Sequence, residues 1–529
     1  MEDFSEFARS VRAMLHSMGA INVDIVYNAE DALKACVVTK YDIILSDYNL
    51  GLKKDGQQLL EELIKNSQIK SNCIFLMLTA ENNTAMVMGA VEYQPDSYLA
   101  KPFNSSLLKS RLQKSIEKKD ALLPISRAIA GKEWGNAIEH IKTTLPKYPK
   151  YKMSCLRFQY QALRELKKYL EAHRVVADII ADRAIPWALE GVGEIHYLKK
   201  EYTQAQGIFR NMIEEFPMAL EGYDWLAKVQ NKLGNPIDAQ ETLVKAVKKS
   251  PKAVHRQRQL GTLAEKNGDI ERMIIAYRNA VKYSANSAFA KLNEYLKLTK
   301  ALSIKIEQNG GADPKAIIDE AESVFEELAK NFSSSNSNQL RNHAAQTSFY
   351  TKSKLMEKAK LHLDKTAFLI ETQDEQLEPE VSLELSETLN DIGKRDLAEQ
   401  ILNEAIQQNL DDPEFIIKAS KLSKNPELIK SSQQAGQYNN KAVNCFKKKR
   451  YDESSDWFEK ALSLSPRNIN IRLNYAQTLM KQNQITKISL SAIKRSEELI
   501  DGMPKLSFSD SRHKRYSELS RLIQLTLRK

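Results

Sequence analysis

A chain of 529 residues is long enough for several domains, because a single hydrophobic core stops growing well below this length. The content of 42% hydrophobic and 28% charged residues is typical of a globular protein in water, and no stretch approaches the roughly twenty apolar residues that span a bilayer. The net charge of +10 arises from basic residues spread among nearly as many acidic ones, which is typical of solvated helix faces rather than of a nucleic-acid-binding surface.

The beginning of the chain and its cysteines indicate a cytoplasmic protein. The first residues, Met1-Glu2-Asp3-Phe4, are acidic and unlike a signal peptide. The cysteines are scattered and never form a Cys-x-x-Cys pair, and the eight histidines do not cluster at metal-ligand spacings. We therefore expect reduced thiols and neither a zinc site nor a disulfide framework.

Helices and strands alternate over the first 118 residues. The pattern predicts helices over 4–18, 30–37 and 56–65, from about 85 and from 105, and strands over 23–27, 43–47, 73–78 and 97–100. Such alternation predicts a parallel sheet with helices on both faces.

Polar residues follow the apolar strands at positions where reactive groups gather in such sheets. Asp47 ends one strand, Thr79 follows the next, and Lys101-Pro102 follows the last. Taken singly, each has an ordinary interpretation as a turn residue, a strand-end threonine or a solvated charge. Together with the acidic pair Glu2-Asp3, they form a specific combination.

That combination resembles the receiver domain of bacterial response regulators, over about residues 1 to 118. The resemblance implies a CheY-like doubly wound fold in which Asp47 accepts a phosphoryl group from a sensor histidine kinase or a phosphotransfer protein. It also implies Mg²⁺ held by Asp3, Asp47 and the backbone carbonyl of Asn49, with Glu2 acting through water. Oxygen ligands of this kind suit Mg²⁺. Apart from its own phosphorylation and slow dephosphorylation, we expect no enzymatic activity.

The same resemblance assigns switch roles to three further residues. Lys101 would pair with a phosphoryl oxygen, and the Lys101-Pro102 bond is expected to be cis. Thr79 would donate its hydroxyl to the phosphate, and Tyr98 would fill the space that the moving loop leaves.

The chain departs from the receiver pattern in two ways. We expect the first strand of the family to be missing, because only Met1 precedes the acidic pair, and we expect the natural protein to start upstream. Gly51 stands where the family usually has proline, and Asp55-Gly56 comes one residue late, which affects the geometry of the acceptor loop.

After about Lys118 the strand patterns end and amphipathic helices follow. Small or apolar residues recur every 34 positions in five registers: Ala205, Ala239 and Met273; Met212, Ala246 and Ala280; Gly193, Ala227 and Gly261; Pro217, Pro251 and Ala285; Phe209, Leu243 and Tyr277. Small residues at helix crossings, one larger apolar residue and a closing proline resemble the tetratricopeptide repeat. We predict a receiver domain over 1–118, repeats over 119–300, an irregular helical connection over 301–375, further repeats over 376–485 and a basic helical tail over 486–529.

No other output domain is indicated, so the repeats themselves are the expected output. Stacked repeats expose a groove that binds segments of other proteins, and Tyr160, Tyr223 and Trp225 are candidate groove aromatics, although each could equally be a packing residue. The first hypothesis is an adaptor whose repeats change partners when Asp47 is phosphorylated. A second is a constitutive scaffold with a degenerate receiver used for dimerisation. A third, nucleic-acid binding by the basic tail, is the weakest because few aromatics accompany its charges.

Overall fold

The computed structural model describes residues 1–51, 54–70, 72–80, 95–285, 290–308, 314–372, 377–409, 412–423, 426–486, 490–503, 506 and 512–527. The chain divides into two compact units, Met1–Leu298 and Thr299–Lys529. The helix predicted from residue 85 lies outside the described residues.

The first unit begins with a small parallel sheet covered by helices, as the alternation predicts. Its elements are α1 (Ser5–Ser17), α2 (Ala29–Val38), β1 (Ile43–Asp47), α3 (Gly56–Lys65), β2 (Ile74–Thr79), β3 (Ser97–Ala100) and α4 (Ser105–Ala130). Among the described residues, the strands lie in the order β1-β2-β3. The register pairs Asp47 with Leu78 and Thr79 with Ala100, so the carboxyl ends of all three strands meet at one edge.

Alternation along β2 builds a core on each face of the sheet. Phe75 and Met77 pack with α2 and α3 on one face, whereas Leu76 and Leu78 pack with α1 and α4 on the other. Every residue of β2 is buried. A strand covered on both faces has no position for a polar side chain until it ends, and this explains its unbroken run of apolar residues.

The strand expected over residues 23–27 is wrong, because this segment has no regular secondary structure. A cavity of about 550 Å³, whose walls include Val23, Ile25 and Leu45, lies beside the segment. A backbone hydrogen bond from the amide of Glu2 to the carbonyl of Val26 (3.2 Å) ties its end to the chain start. An extended segment becomes a strand only when a neighbouring strand pairs with it.

Helix α4 joins the sheet to the helical repeats without a break. Its first half buries Leu108 and Leu112 against the sheet, and its second half buries Leu122 and Ile125 against the next helices. The helix therefore runs straight through residue 118, the predicted domain boundary. One continuous helix, with Pro124 inside its second half, therefore belongs to both cores.

The remaining helices of the first unit pack in antiparallel pairs. They are α5 (Trp134–Lys147), α6 (Lys152–Glu165), α7 (Tyr169–Asp182), α8 (Pro186–Leu198), α9 (Tyr202–Glu215), α10 (Leu220–Lys232), α11 (Pro236–Lys249), α12 (Val254–Asn267), α13 (Ile270–Ser284) and α14 (Leu292–Gln308), which extends into the second unit. Each helix from α5 to α12 contacts the next one along the chain. This confirms the helical repeat array.

Two of the five registers follow from how the two helices of a pair cross. An added Cβ at Gly193 would lie 2.4 Å from the ring of Phe209, and one at Gly261 would lie 2.7 Å from the ring of Tyr277. In the intervening pair, Ala227 faces the smaller Leu243 in one core cluster. Glycine therefore accompanies an aromatic residue, and alanine accompanies leucine.

The second unit is helical throughout its described residues. It contains α15 (Pro314–Phe332), α16 (Asn336–Lys352), α17 (Met356–Glu371), α18 (Pro379–Asp391), α19 (Arg395–Gln408), α20 (Pro413–Leu422), α21 (Pro426–Lys447), α22 (Tyr451–Leu464), α23 (Ile469–Thr486), α24 (Leu490–Asp501) and α25 (His513–Leu527). Ile493 and Leu499 of α24 and Ile523 of α25 share a core with α22 and α23. The helices of the basic segment are thus part of a packed core. In the described part of the chain, no helix is both long and apolar enough to cross a bilayer.

Candidate phosphoacceptor site

The three strand ends bring the predicted site residues together. Asp47 is the last residue of β1, Thr79 is the last of β2, and Lys101 follows β3 directly. The amide of Lys101 donates to the carbonyl of Thr79 (2.8 Å), which continues the β2–β3 pairing by one residue. The sequence prediction that these residues meet at one edge of the sheet is therefore matched by the geometry.

The acidic pair reaches the same edge through backbone hydrogen bonds of Met1. The amino group of Met1 donates to the carbonyl of Leu45 (2.7 Å), and the amide of Asp47 donates to the carbonyl of Met1 (3.0 Å). These bonds lay Met1 alongside the end of β1. As a result, carboxylate oxygens of Glu2, Asp3 and Asp47 all lie within 4.8 Å of one another.

Lys101 bridges two of these acids. Its ammonium group donates to Glu2 (2.7 Å) and to Asp47 (2.8 Å), and all three side chains are largely buried. Burial raises the pKa of Glu2, although the hydrogen bond from Lys101 opposes this effect. Burial alone would lower the pKa of Lys101, but the hydrogen bonds to Asp47 and Glu2 outweigh it, and the pKa is raised. The lysine therefore stays charged and partly offsets the repulsion between the carboxylates.

The donor set fits a hard divalent cation. Three carboxylates converge, and one of them, Asp3, is exposed to solvent, which leaves room for the several water ligands that Mg²⁺ retains. Asn49 is also exposed and follows Asp47 by two residues. Its backbone carbonyl remains a predicted ligand. Glu2, Asp3 and Asp47 are the residues that would hold Mg²⁺.

Tyr98 and Thr79, the predicted switch residues, lie in β3 and at the end of β2. The Tyr98 hydroxyl is buried, and it has no hydrogen-bond partner among the described residues. Burial raises the pKa of Tyr98 to about 12. A buried hydroxyl without a partner costs about 1–3 kcal/mol. Thr79 is buried at the strand end and does have an interaction.

Two aromatic residues that the sequence did not single out complete the site. The ammonium of Lys101 lies 4.5 Å from the ring centroid of Phe7. Phe103 packs edge-on against Phe7, with 5.6 Å between centroids. An aromatic face stabilises a cation above it. The sequence signal was the position of Phe7, one helical turn after Asp3, but an apolar residue there is indistinguishable from an ordinary core residue.

Tyr48, the residue directly after Asp47, is hydrogen-bonded to the start of α3. The amide of Gly56 donates to the carbonyl of Tyr48 (2.8 Å), and a Cβ at Gly56 would lie 2.1 Å from the backbone oxygen of Asp47. Asp55 caps α3 in a capping box with Gln58. Glycine at 56 is thus required for α3 to approach the acceptor strand.

The candidate groove aromatics are mainly packing residues. Tyr160 is buried and donates its hydroxyl to Glu194 (2.6 Å), and Tyr223 is buried in a core cluster. Trp225 is half-buried and donates its ring N–H to Glu190 (3.0 Å), while it stacks on Phe209. Only Trp225 retains partial exposure.

Fold and site together define a receiver-type domain followed by a helical repeat array, and the comparisons with known proteins agree. Residues 1–113 match the family described as "Response regulator receiver domain", and residues 435–468 match "Tetratricopeptide repeat". The chemotaxis protein CheY-3 of Vibrio cholerae is 30% identical over 122 residues, which cover 22% of this chain and 89% of that protein. The chain belongs to the response regulator receiver family.

Two further similarities involve the receiver domain and the repeats separately. The chemotaxis protein CheY of Pseudomonas aeruginosa is 26% identical over 119 residues, which cover 22% of this chain and 94% of that protein. The C-terminal part of a TPR repeat-containing protein from Cytophaga hutchinsonii is similar at 15% identity with a TM-score of 0.37, over 47% of this chain and 95% of that chain.

Proposed function

We propose that Asp47 accepts a phosphoryl group from a histidine kinase or phosphotransfer protein and that its phosphorylation changes which proteins the repeats bind. The supporting observation is the convergence of Glu2, Asp3 and Asp47 with Lys101 hydrogen-bonded between Glu2 and Asp47. The chain would have no enzymatic activity beyond its own phosphorylation and slow dephosphorylation. Output would come from protein contacts of the repeats.

Phosphoryl transfer requires positioning and charge neutralisation more than covalent help. A carboxylate oxygen of Asp47 forms the new bond to phosphorus while the bond from phosphorus to the donor's imidazole nitrogen breaks, and that nitrogen keeps the bonding electron pair. Mg²⁺, when bound, would supply the charge that neutralises the phosphoryl oxygens. Lys101, already bonded to Asp47, is placed to pair with one of those oxygens and to hold it there.

The continuous helix α4 supports a route from the site to the repeats. The amide of Lys101 is fixed to the end of β2, and α4 begins four residues after Lys101. Further along α4, Lys119 forms an ion pair with Asp96 (2.9 Å), next to the start of β3. A change in the position of β3 and its flanking loop would therefore be passed to a helix whose second half is part of the first repeat core.

The first test asks whether Asp47 is the residue that is phosphorylated. The full chain is incubated with a small phosphodonor and Mg²⁺, and the intact mass is measured. We expect one phosphoryl group on the parent, none on Asp47→Asn, and one on Asp55→Asn, because asparagine caps a helix as well as aspartate does. Omission of Mg²⁺ should abolish the mass increase. A phosphoryl group on Asp47→Asn, or none on the parent, would refute the assignment of the acceptor.

The second test addresses the output. A firm switch from 1:99 to 99:1 between two states needs about 5.5 kcal/mol of differential stabilisation. Protein capture by the parent is compared with and without phosphodonor, and with a variant carrying two glycines inserted after Asp120. The insertion leaves the Lys119–Asp96 pair inside the receiver. We expect the insertion to preserve phosphorylation and to uncouple it from capture. Identical capture by phosphorylated and unphosphorylated parent would support a constitutive scaffold instead.

A further inference from the structure

The turns inside the helix pairs place lysine in a backbone conformation that favours glycine. The residue between the two helices has positive φ in each of the following turns: Lys132 (φ 57°), Lys167 (58°), Lys200 (64°), Lys354 (60°) and Lys449 (60°). The same position in three other turns holds Gly234, Gly268 and Gly393. Every described turn of this kind that lacks glycine therefore has lysine.

The fold alone does not favour lysine at this position. The left-handed conformation is unfavourable for any residue with a Cβ atom and free for glycine, and asparagine tolerates it better than lysine does. A cation near a helix C-terminus interacts favourably with the helix dipole, but Lys199 and Lys232 gain that interaction from the last helical turn without positive φ. Strain that persists in a structure is a reason to look for function.

In the first unit these turns lie at the same end of successive helix pairs. We define the lysine ridge as Lys132, Lys167, Lys168, Lys199, Lys200 and Lys232, all of which are exposed. The first helices of neighbouring pairs are in direct contact: Arg164 of α6 bonds Glu194 of α8, and Trp225 of α10 bonds Glu190 of α8. The ridge therefore follows the stacking direction of the repeats.

The charges of the ridge are mostly not neutralised by the chain itself. Within the described residues, Lys168 is the ridge lysine with an ion pair, to the half-exposed Glu171 at 3.4 Å. Of the nearby carboxylates, Glu165 pairs with Arg164 (2.6 Å). Glu201 is hydrogen-bonded to the His196 ring (2.6 Å), and Glu133 accepts from the Asn136 amide (2.9 Å). A row of uncompensated ammonium groups attracts an anionic partner.

We propose that the lysine ridge binds an acidic segment of a partner protein. Neighbouring helices pack about 8–10 Å apart, so the lysines of successive ridge turns are separated by a similar distance. Residues seven apart on a helix recur after about 10 Å. The ridge can therefore meet a row of carboxylates on one face of a partner helix. Nucleic acid fits less well. The ridge turns contain no arginine for bidentate phosphate contacts, and the aromatic residues that follow them, Trp134, Tyr169 and Tyr202, are half-buried. This surface is independent of the phosphoacceptor site.

The melting temperature serves as an internal control, because glycine relieves the unfavourable positive φ of these lysines. The full-length variant Lys132→Gly/Lys167→Gly/Lys200→Gly removes three ridge charges and relieves three unfavourable conformations. We expect its melting temperature to rise while its affinity for fluorescent poly-L-glutamate falls about ten-fold at low salt, since exposed ion pairs contribute modestly and additively. The matched control Lys147→Gln/Lys245→Gln/Lys248→Gln removes the same charge from exposed lysines of α5 and α11 and should bind like the parent.

Each other outcome overturns the proposal. Equal losses in the two triple variants would mean that only net charge matters. Absence of poly-L-glutamate binding by the parent would remove the site. Tighter, ridge-dependent binding of a DNA duplex than of poly-L-glutamate would replace the acidic protein partner by nucleic acid. A lower melting temperature in the glycine variant would show that these lysines serve the fold.

Discussion

The crossing of α8 and α9 at Gly193 can be tested with a substitution that the neighbouring repeat already contains. An added Cβ at Gly193 would lie 2.4 Å from the ring of Phe209, which is fully buried and stacked on Trp225 with 5.6 Å between centroids. Overpacking of this kind costs about 1–3 kcal/mol. Alanine in place of glycine inside a helix gains about 0.5–1 kcal/mol. We therefore expect Gly193→Ala to destabilise this repeat by about 1–2 kcal/mol.

The next repeat supplies the compensating change, because Ala227 there faces Leu243. Phe209→Leu alone should cost about 1–2 kcal/mol through lost packing. The double variant Gly193→Ala/Phe209→Leu should be more stable than the sum of the two single effects by about 1–2 kcal/mol, as expected for residues in contact. A matched control is Gly207→Ala on α9, where an added Cβ meets nothing within 4 Å and should stabilise the helix.

The assay should measure stability locally. A chain of several units does not unfold as a two-state system, so a single unfolding free energy is not defined. Native-state hydrogen exchange reports the opening free energy of α8 and α9 separately. If Gly193→Ala stabilised these helices as Gly207→Ala does, or if Phe209→Leu failed to compensate it, the size rule for the repeats would be refuted.

Three further predictions concern other parts of the chain. Gly56→Ala should lower the stability of the sheet by about 3 kcal/mol in hydrogen exchange of β1, because its Cβ would lie 2.1 Å from the backbone oxygen of Asp47, which cannot move aside. Lys101→Met should tighten Mg²⁺ binding in calorimetric titration by about fivefold or more, because a competing cation is worth about 1 kcal/mol even in water. Burial lowers the pKa of His343 and lowers that of His362 from 6.5 to about 4, so the unfolded state binds more protons in this range. Stability of the second unit should thus fall as pH drops from 6.5 towards 4, and His362→Gln should flatten this dependence of the melting temperature.

The helical repeats were predictable because their packing rule is periodic. A small residue and a large residue that meet across a helix pair must both recur at the repeat length, so the 34-residue registers identify the crossing points. The pairing of Gly193 with Phe209, of Ala227 with Leu243 and of Gly261 with Tyr277 was not predictable in the same way. This pairing depends on which two registers face each other across the helix pair, and the sequence alone does not show that.

The candidate site was predictable for a different reason. The ends of parallel strands lie at one edge of a sheet, so Asp47, Thr79 and Lys101 could be brought together from strand assignments alone. The strand over 23–27 was wrong because apolar alternation shows which face a segment buries and does not show whether a neighbouring strand pairs with it. Phe7 was missed because a cation over its ring is a contact between residues far apart in sequence.

Asp55-Gly56 comes one residue later than in the receiver pattern, yet hydrogen bonds still hold the described ends of the acceptor loop. The loop is fixed at one end, where the amide of Tyr48 donates to the carbonyl of Leu78 (2.8 Å). It is fixed at the other end, where the amide of Gly56 donates to the carbonyl of Tyr48 (2.8 Å). Both anchors involve Tyr48, the residue directly after Asp47. A Cβ at Gly56 would lie 2.1 Å from the backbone oxygen of Asp47, so α3 packs directly against the acceptor strand at this glycine.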